Sequence, residues 1–548
     1  MNQLKNTRLW VPLIVAGALI VGLIAGALLK RNFGLTPVEK KMTTVLDMIS
    51  NDYVDILDTD SLLETVFPTL VGALDPHSAY IPAEDLKAFN EGMDGSFSGE
   101  GISFNMINDS VNVVEVIGGG PAQRAGLLAG DRIVSVDGQP VVDMGYTAEK
   151  IRSLLKGVKG THVTVEVKRA SAKQTLEFDI ERGDIPVNSI DSYYIIEPGI
   201  GYIHVNQFSR STYDEYLNAL GVLTHQGAEA FIIDLRGNPG GYFEMAILMA
   251  NEFLPKGSPI VFTRQRNAAE DRTVVSDGHG SFPQTPVVVL LDEYSASSSE
   301  VFSGALQDND RALIVGRRSF GKGLIQKQTI LPDSSAIQIT VGRYYTPSGR
   351  SIQKDYSNQK TYRNDLLERF NHGEAFNADS IHQDTTNVHL TMHGRLVYGG
   401  GGIMPDIFVP SDTAGITGYY LNVANAGLLQ KFAFDYVDAN RSRLSQAKTV
   451  AELDSLLPPT DQLLRQFVNF CSASGIPARW YYINISSTLI VNQLKAIIAR
   501  DILGSGAGYE ILNRMDNTVQ EAIRQIQNGN ADAPVNVQGT HPQTLSQE

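Results

Sequence analysis

Residues 286–307 read PVVVLLDEYSASSSEVFSGALQ. Val287 to Leu291 is an unbroken apolar run, which predicts a strand buried on both faces rather than one with a wet side. Four small hydroxyls follow within five positions, Ser295, Ser297, Ser298 and Ser299. The run VFSGALQ then has helical character. A buried strand turning into a helix over a serine cluster has two readings. Serine is a favoured helix N-cap. A serine at such a turn is also placed to attack a carbonyl, with the free N–H groups of the helix start facing the resulting oxyanion.

Outward from this stretch the pattern repeats. GIGYIHV, AEAFIIDL and ALIVG read as buried strands, and TYDEYLNALGVL and FEMAILMANEFL read as helices between them. Such alternation predicts a layered α/β core over 184–410. Residues 355–392 are polar and rich in Asn, Asp and His, and are expected to interrupt that core and lie outside it. Residues 94–183 change character: short β-type runs separated by GGGPAQRAGLLAGD, a helical TAEKIRSLLKG and the turn Asp137-Gly138 predict a compact α+β module. Residues 34–93 have helical spacing, with His77 in a turn-like DPHSAY and expected at the surface or as a cap. Residues 411–548 read as mostly helical, with KAIIARDILG and TVQEAIRQIQ clearest and a polar, disordered tail from about Asn528. They are open to oligomerisation or adaptor binding.

The chain has 548 residues, 43% of them hydrophobic, enough for several domains with real cores. Its net charge of -15 argues against a nucleic-acid partner, which requires a basic patch. The single cysteine, Cys471, excludes an internal disulfide and a cysteine metal cluster, and reads as a small core residue. Leu9 to Leu29 is free of charge and, at 1.5 Å per residue, just spans a bilayer core of roughly 30 Å. Residues 1–33 are therefore expected to form a membrane anchor or signal segment that leaves the rest of the chain translocated.

A serine nucleophile needs a base. The histidines stand in no evident catalytic frame, and neither HExxH nor G-x-S-x-G is present. RRSFGKGLIQ (317–326) offers Lys322 between Gly321 and Gly323. A lysine serves as base if burial keeps it neutral.

These residues together resemble the C-terminal processing peptidases, also called tail-specific serine proteases. That family carries S/T-A-S-A-S-E followed by F/Y-G-K-G-x-x-Q. Ser295 to Glu300 aligns with the first segment, and 297 + 25 lands on Lys322. Ser298 stands where alanine is usual. DLRGNPGGYF (234–243), YYTPSGRSIQ, GGGIMPDIFV and ALDPHSAYI fit other family segments. The resemblance implies a crotonase-like α/β serine-protease core with Ser297 as nucleophile, Lys322 as base and Gln326 holding the lysine. It implies an oxyanion hole from Ser298 and Gly240 or Gly241, Asp308 as a possible auxiliary, and no cofactor or metal. The module at 94–183 resembles a bacterial-type PDZ domain through GPAQRAGLLAGDRIVSVDG and GEGISF. In such a domain Gly99, Gly101, Ile102, Ser103 and Phe104 hold the carboxylate and backbone of a peptide added as a strand. The expected whole is an endopeptidase anchored in the inner membrane of a bacterial cell envelope, with its catalytic domain in the periplasm, acting on proteins with free apolar C-termini. The competing expectations are a catalytically dead PDZ scaffold and a lipid-binding use of the same fold.

Overall fold

The computed structural model describes residues 36–532, apart from Gly95, Asn108, Ala170, Ser171, Val187, His382 and Gln383. The expected anchor at 9–29 and the tail beyond residue 532 lie outside the described residues. Among the described residues no helix is long and apolar enough to cross a membrane.

Two compact units divide between Leu74 and Asp75. The first contains helices α1 (Pro37–Asp52) and α2 (Thr59–Gly72). Helix α1 starts on a capping box, in which Thr36 and Glu39 exchange side-chain and backbone bonds, with Pro37 at the first helical position.

The second unit begins with strand β1 (Ala79–Ile81) and helix α3 (Ala83–Asp94). The helical expectation for 34–93 thus fails at β1. The strand owes its form to a distant partner, with Tyr80 opposite Ile337, which local spacing does not reveal. The PDZ-like module follows as β2 (Ser96–Gly99), β3 (Ile102–Ile107), β4 (Ser110–Val116), α4 (Pro121–Ala125), β5 (Arg132–Val136), β6 (Gln139–Pro140), α5 (Ala148–Leu155), β7 (His162–Lys168), β8 (Leu176–Glu181) and β9 (Gly183–Pro186). Strands β2 and β9 pair and so bring the module's two ends together. Its sheet runs β3-β4-β5-β7-β8 with β6 beside β5, which leaves β3 at an edge. Val111, Val113, Ile133, Ile151, Leu155, Val163 and Val165, all fully buried, form its core.

The α/β core contains β10 (Ile190–Glu197), β11 (Ile200–Val205), α6 (Thr212–His225), β12 (Ala230–Asp234), α7 (Phe243–Asn251), β13 (Pro259–Gln265), β14 (Arg272–Val275), β15 (Val287–Leu291), α8 (Ser298–Asp308), β16 (Leu313–Gly316), β17 (Leu324–Ile330), β18 (Ala336–Tyr345), α9 (Gln359–Asn371), β19 (Val388–Leu390), β20 (Leu396–Tyr398) and β21 (Ile407–Phe408). The main sheet is ordered β10-β11-β12-β15-β16-β21 and is parallel from β11 onward. Every residue of β11, β12, β15 and β16 is buried, the polar His204 and Asp234 included, as strands covered on both faces require. Alternate residues serve opposite faces. Ile203, Phe231, Ile233 and Val289 pack with the helices α6, α7 and α8, while Tyr202, Ile232, Val288 and Leu290 face the other way. A second sheet, β1-β18-β13-β14 with β17 beside β18, flanks the first.

The C-terminal helices are α10 (Gly418–Asn425), α11 (Leu428–Leu444), α12 (Val450–Leu456), α13 (Thr460–Ala473), α14 (Trp480–Leu503), α15 (Ser505–Asn513) and α16 (Asn517–Gln527). Cys471 is buried in their core, as its isolation suggested. Helix α16 lays Val519, Ala522 and Ile523 on the second face of the main sheet. The same region also holds the PDZ-like module. Arg132 pairs with Asp438 at 3.2 Å and lies over the Phe434 ring, and Ser505 donates to Glu115.

Candidate active site

The site forms beyond the C-terminal ends of β12 and β15, where an open parallel sheet leaves a crevice. Two loops meet there, 235–242 and 292–297. Asn238, fully buried, joins them: its carbonyl accepts from Ala296 N–H at 3.0 Å, and its side chain reaches Val205 O and Gly240 N at 2.8 Å each.

The four serines now separate. Ser295 Oγ donates to Leu235 O at 2.8 Å, Ser298 Oγ to Gly241 O at 2.9 Å, and Ser299 Oγ to Asn238 O at 3.0 Å. Those three stitch the helix start to the neighbouring loop. Ser297 differs. It is half-buried, caps α8, and has φ 55° and ψ -111°, outside the regions open to an ordinary L-residue. Strain of this kind persists only where the surroundings impose it.

What imposes it is Glu300, one turn into α8 and fully buried. One carboxylate oxygen, Oε2, accepts Ser297 N–H at 2.9 Å and Lys322 N–H at 2.8 Å. The other accepts Gly321 N–H at 2.7 Å and the Ser319 hydroxyl. Burial holds this carboxyl above its ordinary range, and these four donors oppose the rise without cancelling it. Four donors on two oxygens suit a carboxylate, which only accepts. On the other side the Tyr344 hydroxyl bridges the carbonyls of Ser297, at 3.0 Å, and of Lys322. The backbones of Ser297 and Lys322 are therefore tied together twice.

Lys322 Nζ donates to Gln326 Oε1 at 3.3 Å. Burial draws its ammonium below the usual lysine range, against the opposing pull of the Glu300 and Asp75 carboxylates. Gly240 presses against the serine. A Cβ there would lie 2.7 Å from both Ser297 Cβ and Ala296 O, at φ 100°, so only glycine fits. At Gly241 a Cβ would meet Phe208 O at 2.0 Å. Gly240 N–H is occupied by Asn238, which leaves Gly241 as the better of the two expected oxyanion donors.

Ser297, Ser298, Lys322, Gln326, Gly240 and Gly241 are thus brought together. Asp308 is not. It ends α8, and ten residues of helix span about 15 Å. There it pairs with the fully buried Arg350 at 2.7 Å and accepts Ser348 N–H at 3.0 Å. In the PDZ-like module Gly101 has φ 85° and precedes the edge strand, along which Ile102 is buried, Ser103 exposed and Phe104 half-buried.

Glu300 and Tyr344 are not among the site residues expected from the sequence. Glu300 was accessible, since a serine with Glu three residues on before an apolar run is a capping-box pattern. Tyr344 carried no such signal. Two expectations also change. His77 is no surface residue: its carbonyl accepts Gln326 Nε2 at 2.7 Å, and its ring meets the Tyr362 hydroxyl at 2.6 Å. The polar insert does not stay outside the core, because α9 buries Tyr362 and Arg369, and Arg369 donates to Ser319 O. Among the described residues no His/Cys/Asp/Glu group is arranged to hold a metal ion.

Peptidase family S41 matches residues 199–359, a PDZ domain matches 113–169, and a family of unknown function matches 419–504. The carboxy-terminal-processing protease of Bartonella bacilliformis is 35% identical over 313 residues, which are 56% of this chain and 71% of that protein. The carboxy-terminal processing protease CtpB of Bacillus subtilis is 33% identical over 319 residues, 57% of this chain and 65% of that one. Among solved structures, a photosystem II D1 C-terminal processing protease is 29% identical, covering 58% of this chain and 91% of its own, with a TM-score of 0.33.

Proposed function

Because the chain belongs to the carboxy-terminal processing proteases of peptidase family S41, and is therefore a serine-type peptidase, we propose that it cleaves proteins after capturing an apolar C-terminal tail, using Ser297 and Lys322 as its working pair. The observation that carries this reading is the strained Ser297 backbone, bound to that of Lys322 through Glu300 and Tyr344.

Lys322, whose ammonium burial draws below the usual lysine range, acts in its deprotonated form and takes the proton from Ser297 Oγ as that oxygen attacks the scissile carbonyl. The oxyanion lies between the N–H groups of Ser298 and Gly241. The first belongs to a helix start and has no acceptor within the helix, and the helix dipole adds to it. The protonated lysine then gives its proton to the departing amine. Water, activated by the same lysine, releases the acyl group from Ser297. Gln326 keeps the amine in place throughout.

The tail adds to the free edge of β3, its carboxylate on the backbone N–H groups of the Gly99–Phe104 segment. The sheet order that leaves β3 unpaired on one side supports this. The uncharged run 9–29 supports a membrane-anchored enzyme whose catalytic unit works in the periplasm.

The test follows cleavage of an unstructured polypeptide with apolar C-terminal residues, its terminus either free or amidated. Wild type cleaves, Ser297→Ala is silent, and amidation raises KM. Cleavage by Ser297→Ala sinks the nucleophile, and indifference to amidation sinks the capture step.

A further inference from the structure

The Lys322 amine is held by Gln326, and Gln326 is held in turn by a segment far away in the chain. Gln326 Oε1 accepts from Lys322 Nζ at 3.3 Å and from Gln338 Nε2 at 3.1 Å. A carboxamide can rotate, and in the reversed orientation it would present an N–H donor to the amine. Its other end decides the orientation. Gln326 Nε2 donates to the carbonyl of His77 at 2.7 Å, and a carbonyl only accepts.

That carbonyl is itself held from two sides. Asp75 Oδ1 accepts the N–H groups of His77 at 2.8 Å and Ser78 at 2.9 Å, and its Oδ2 accepts the Ser78 hydroxyl at 2.7 Å. Ser78 Oγ in turn takes Thr340 N–H from β18, and β1 pairs with the same strand immediately afterwards. From the other side the His77 ring meets the Tyr362 hydroxyl at 2.6 Å, with the two rings edge to face at 5.4 Å. Tyr362 is fixed on α9 against Phe320, two residues before the lysine, with the Lys354 ammonium 3.6 Å from the Phe320 ring centre and 4.5 Å from that of Tyr362.

We propose that His77 is a positioning residue for the proton-accepting lysine. Its carbonyl sets the Gln326 carboxamide so that an acceptor faces the amine, and Tyr362 of the polar insert sets His77. The inference rests on the Ser297–Lys322 reading. It gives the insert a task in the reaction, although none of its residues touches the reacting atoms. The side-chain ring state supports the geometry: burial and the nearby charges of Lys322 and Lys354 depress the His77 imidazole to about 4, against an opposing pull from Asp75, so the ring is neutral beside the amine near pH 7.

The test is a double-mutant cycle on the full chain. It measures kcat and KM on a fluorogenic unstructured polypeptide and, for weak variants, the rate at which a fluorophosphonate modifies Ser297. His77→Ala should lower kcat and the labelling rate by about 10- to 100-fold with KM unchanged, as misplacement of a reacting group does. Tyr362→Phe, which removes one oxygen and leaves the packing, should lower both in the same sense by less. In the Gln326→Ala background His77→Ala should cost less than about twofold, because its route of action is gone. Equal losses in both backgrounds, or an unchanged kcat in a folded His77→Ala or Tyr362→Phe protein, overturn the inference. Cleavage by Ser297→Ala or Lys322→Ala would overturn the dyad reading and this inference with it. Silence of those two with additive His77 losses overturns this inference alone.

Discussion

The two ends of helix α8 each bury an acid, and they use it in opposite ways. At the C-terminal end Asp308 faces Arg350, with both side chains fully buried and 2.7 Å apart. The guanidinium cannot lose its proton, so the pair is locked into one charge state. At the N-terminal end Glu300 is bound by three backbone N–H groups and one hydroxyl, with no arginine among these donors. The nearby cation is Lys322, whose amine meets a neutral carboxamide instead of a carboxylate. In the proposed reaction that charge has to change, and a neutral partner does not oppose the change as a carboxylate would. A buried acid stabilised by dipoles can shape a site and leave a neighbouring base titratable, whereas one stabilised by an ion pair can only hold structure together.

The largest effect should come from giving the N-terminal end the cation of the other end. Lys322→Arg keeps a positive charge but no removable proton, so kcat/KM should drop on the order of 10²- to 10⁴-fold while the melting temperature stays close to wild type. Activity retained by that variant would mean that the lysine acts by charge and not as a base.

The complementary change at the other end is Arg350→Met. It strands a buried carboxylate and should cost about 3 to 5 kcal/mol of stability, read by urea unfolding, with kcat per folded molecule unchanged. A loss of kcat in fully folded protein would restore Asp308 to the reaction.

Ser298→Ala is smaller. It removes the hydroxyl bond to Gly241 O, worth about 1 kcal/mol, but leaves the backbone N–H. Unfolding should shift by that amount, and kcat should fall by less than about tenfold. A larger fall in kcat would mean that the hydroxyl, and not the N–H alone, shapes the oxyanion hole.

The smallest effect is on pH dependence. His77 titrates near 4 in the fold and at an ordinary 6.5 when exposed, so between those values the unfolded chain binds a proton that the folded chain refuses. Stability should therefore fall as pH drops from about 6.5 towards 4, and His77→Gln should flatten part of that slope in melting curves. An unchanged slope would place the His77 ring in water.

Much of this was legible in the linear chain. The strands β11, β12, β15 and β16 announce themselves because a strand buried on both faces is apolar over most of its length, and their spacing leaves room for the helices between them. That Ser297, Lys322 and the glycines of NPGG are to be considered together was indicated by the resemblance of their motifs, and the structure places them side by side. Strand β1 was not, because three residues acquire their form from a partner more than 250 positions away. The packing of the insert helix is hidden in the sequence for a related reason: its composition is polar overall, and Tyr362 and Arg369 are its only buried residues.

The sequence by itself determined the layered core and a compact α+β module, since these rest on local periodicity and turn signals, while the PDZ-like reading and the choice of Ser297 came from the resemblance of the flanking motifs. The tertiary structure alone decided which of four serines is strained, that Glu300 and Tyr344 bind Ser297 to Lys322, that Asp308 belongs to a structural ion pair, and that His77 faces Gln326. Each of those depends on where a hydrogen-bond donor from one segment meets an acceptor from another. Folding sets such meetings through the packing of whole elements, and no stretch of chain carries them alone.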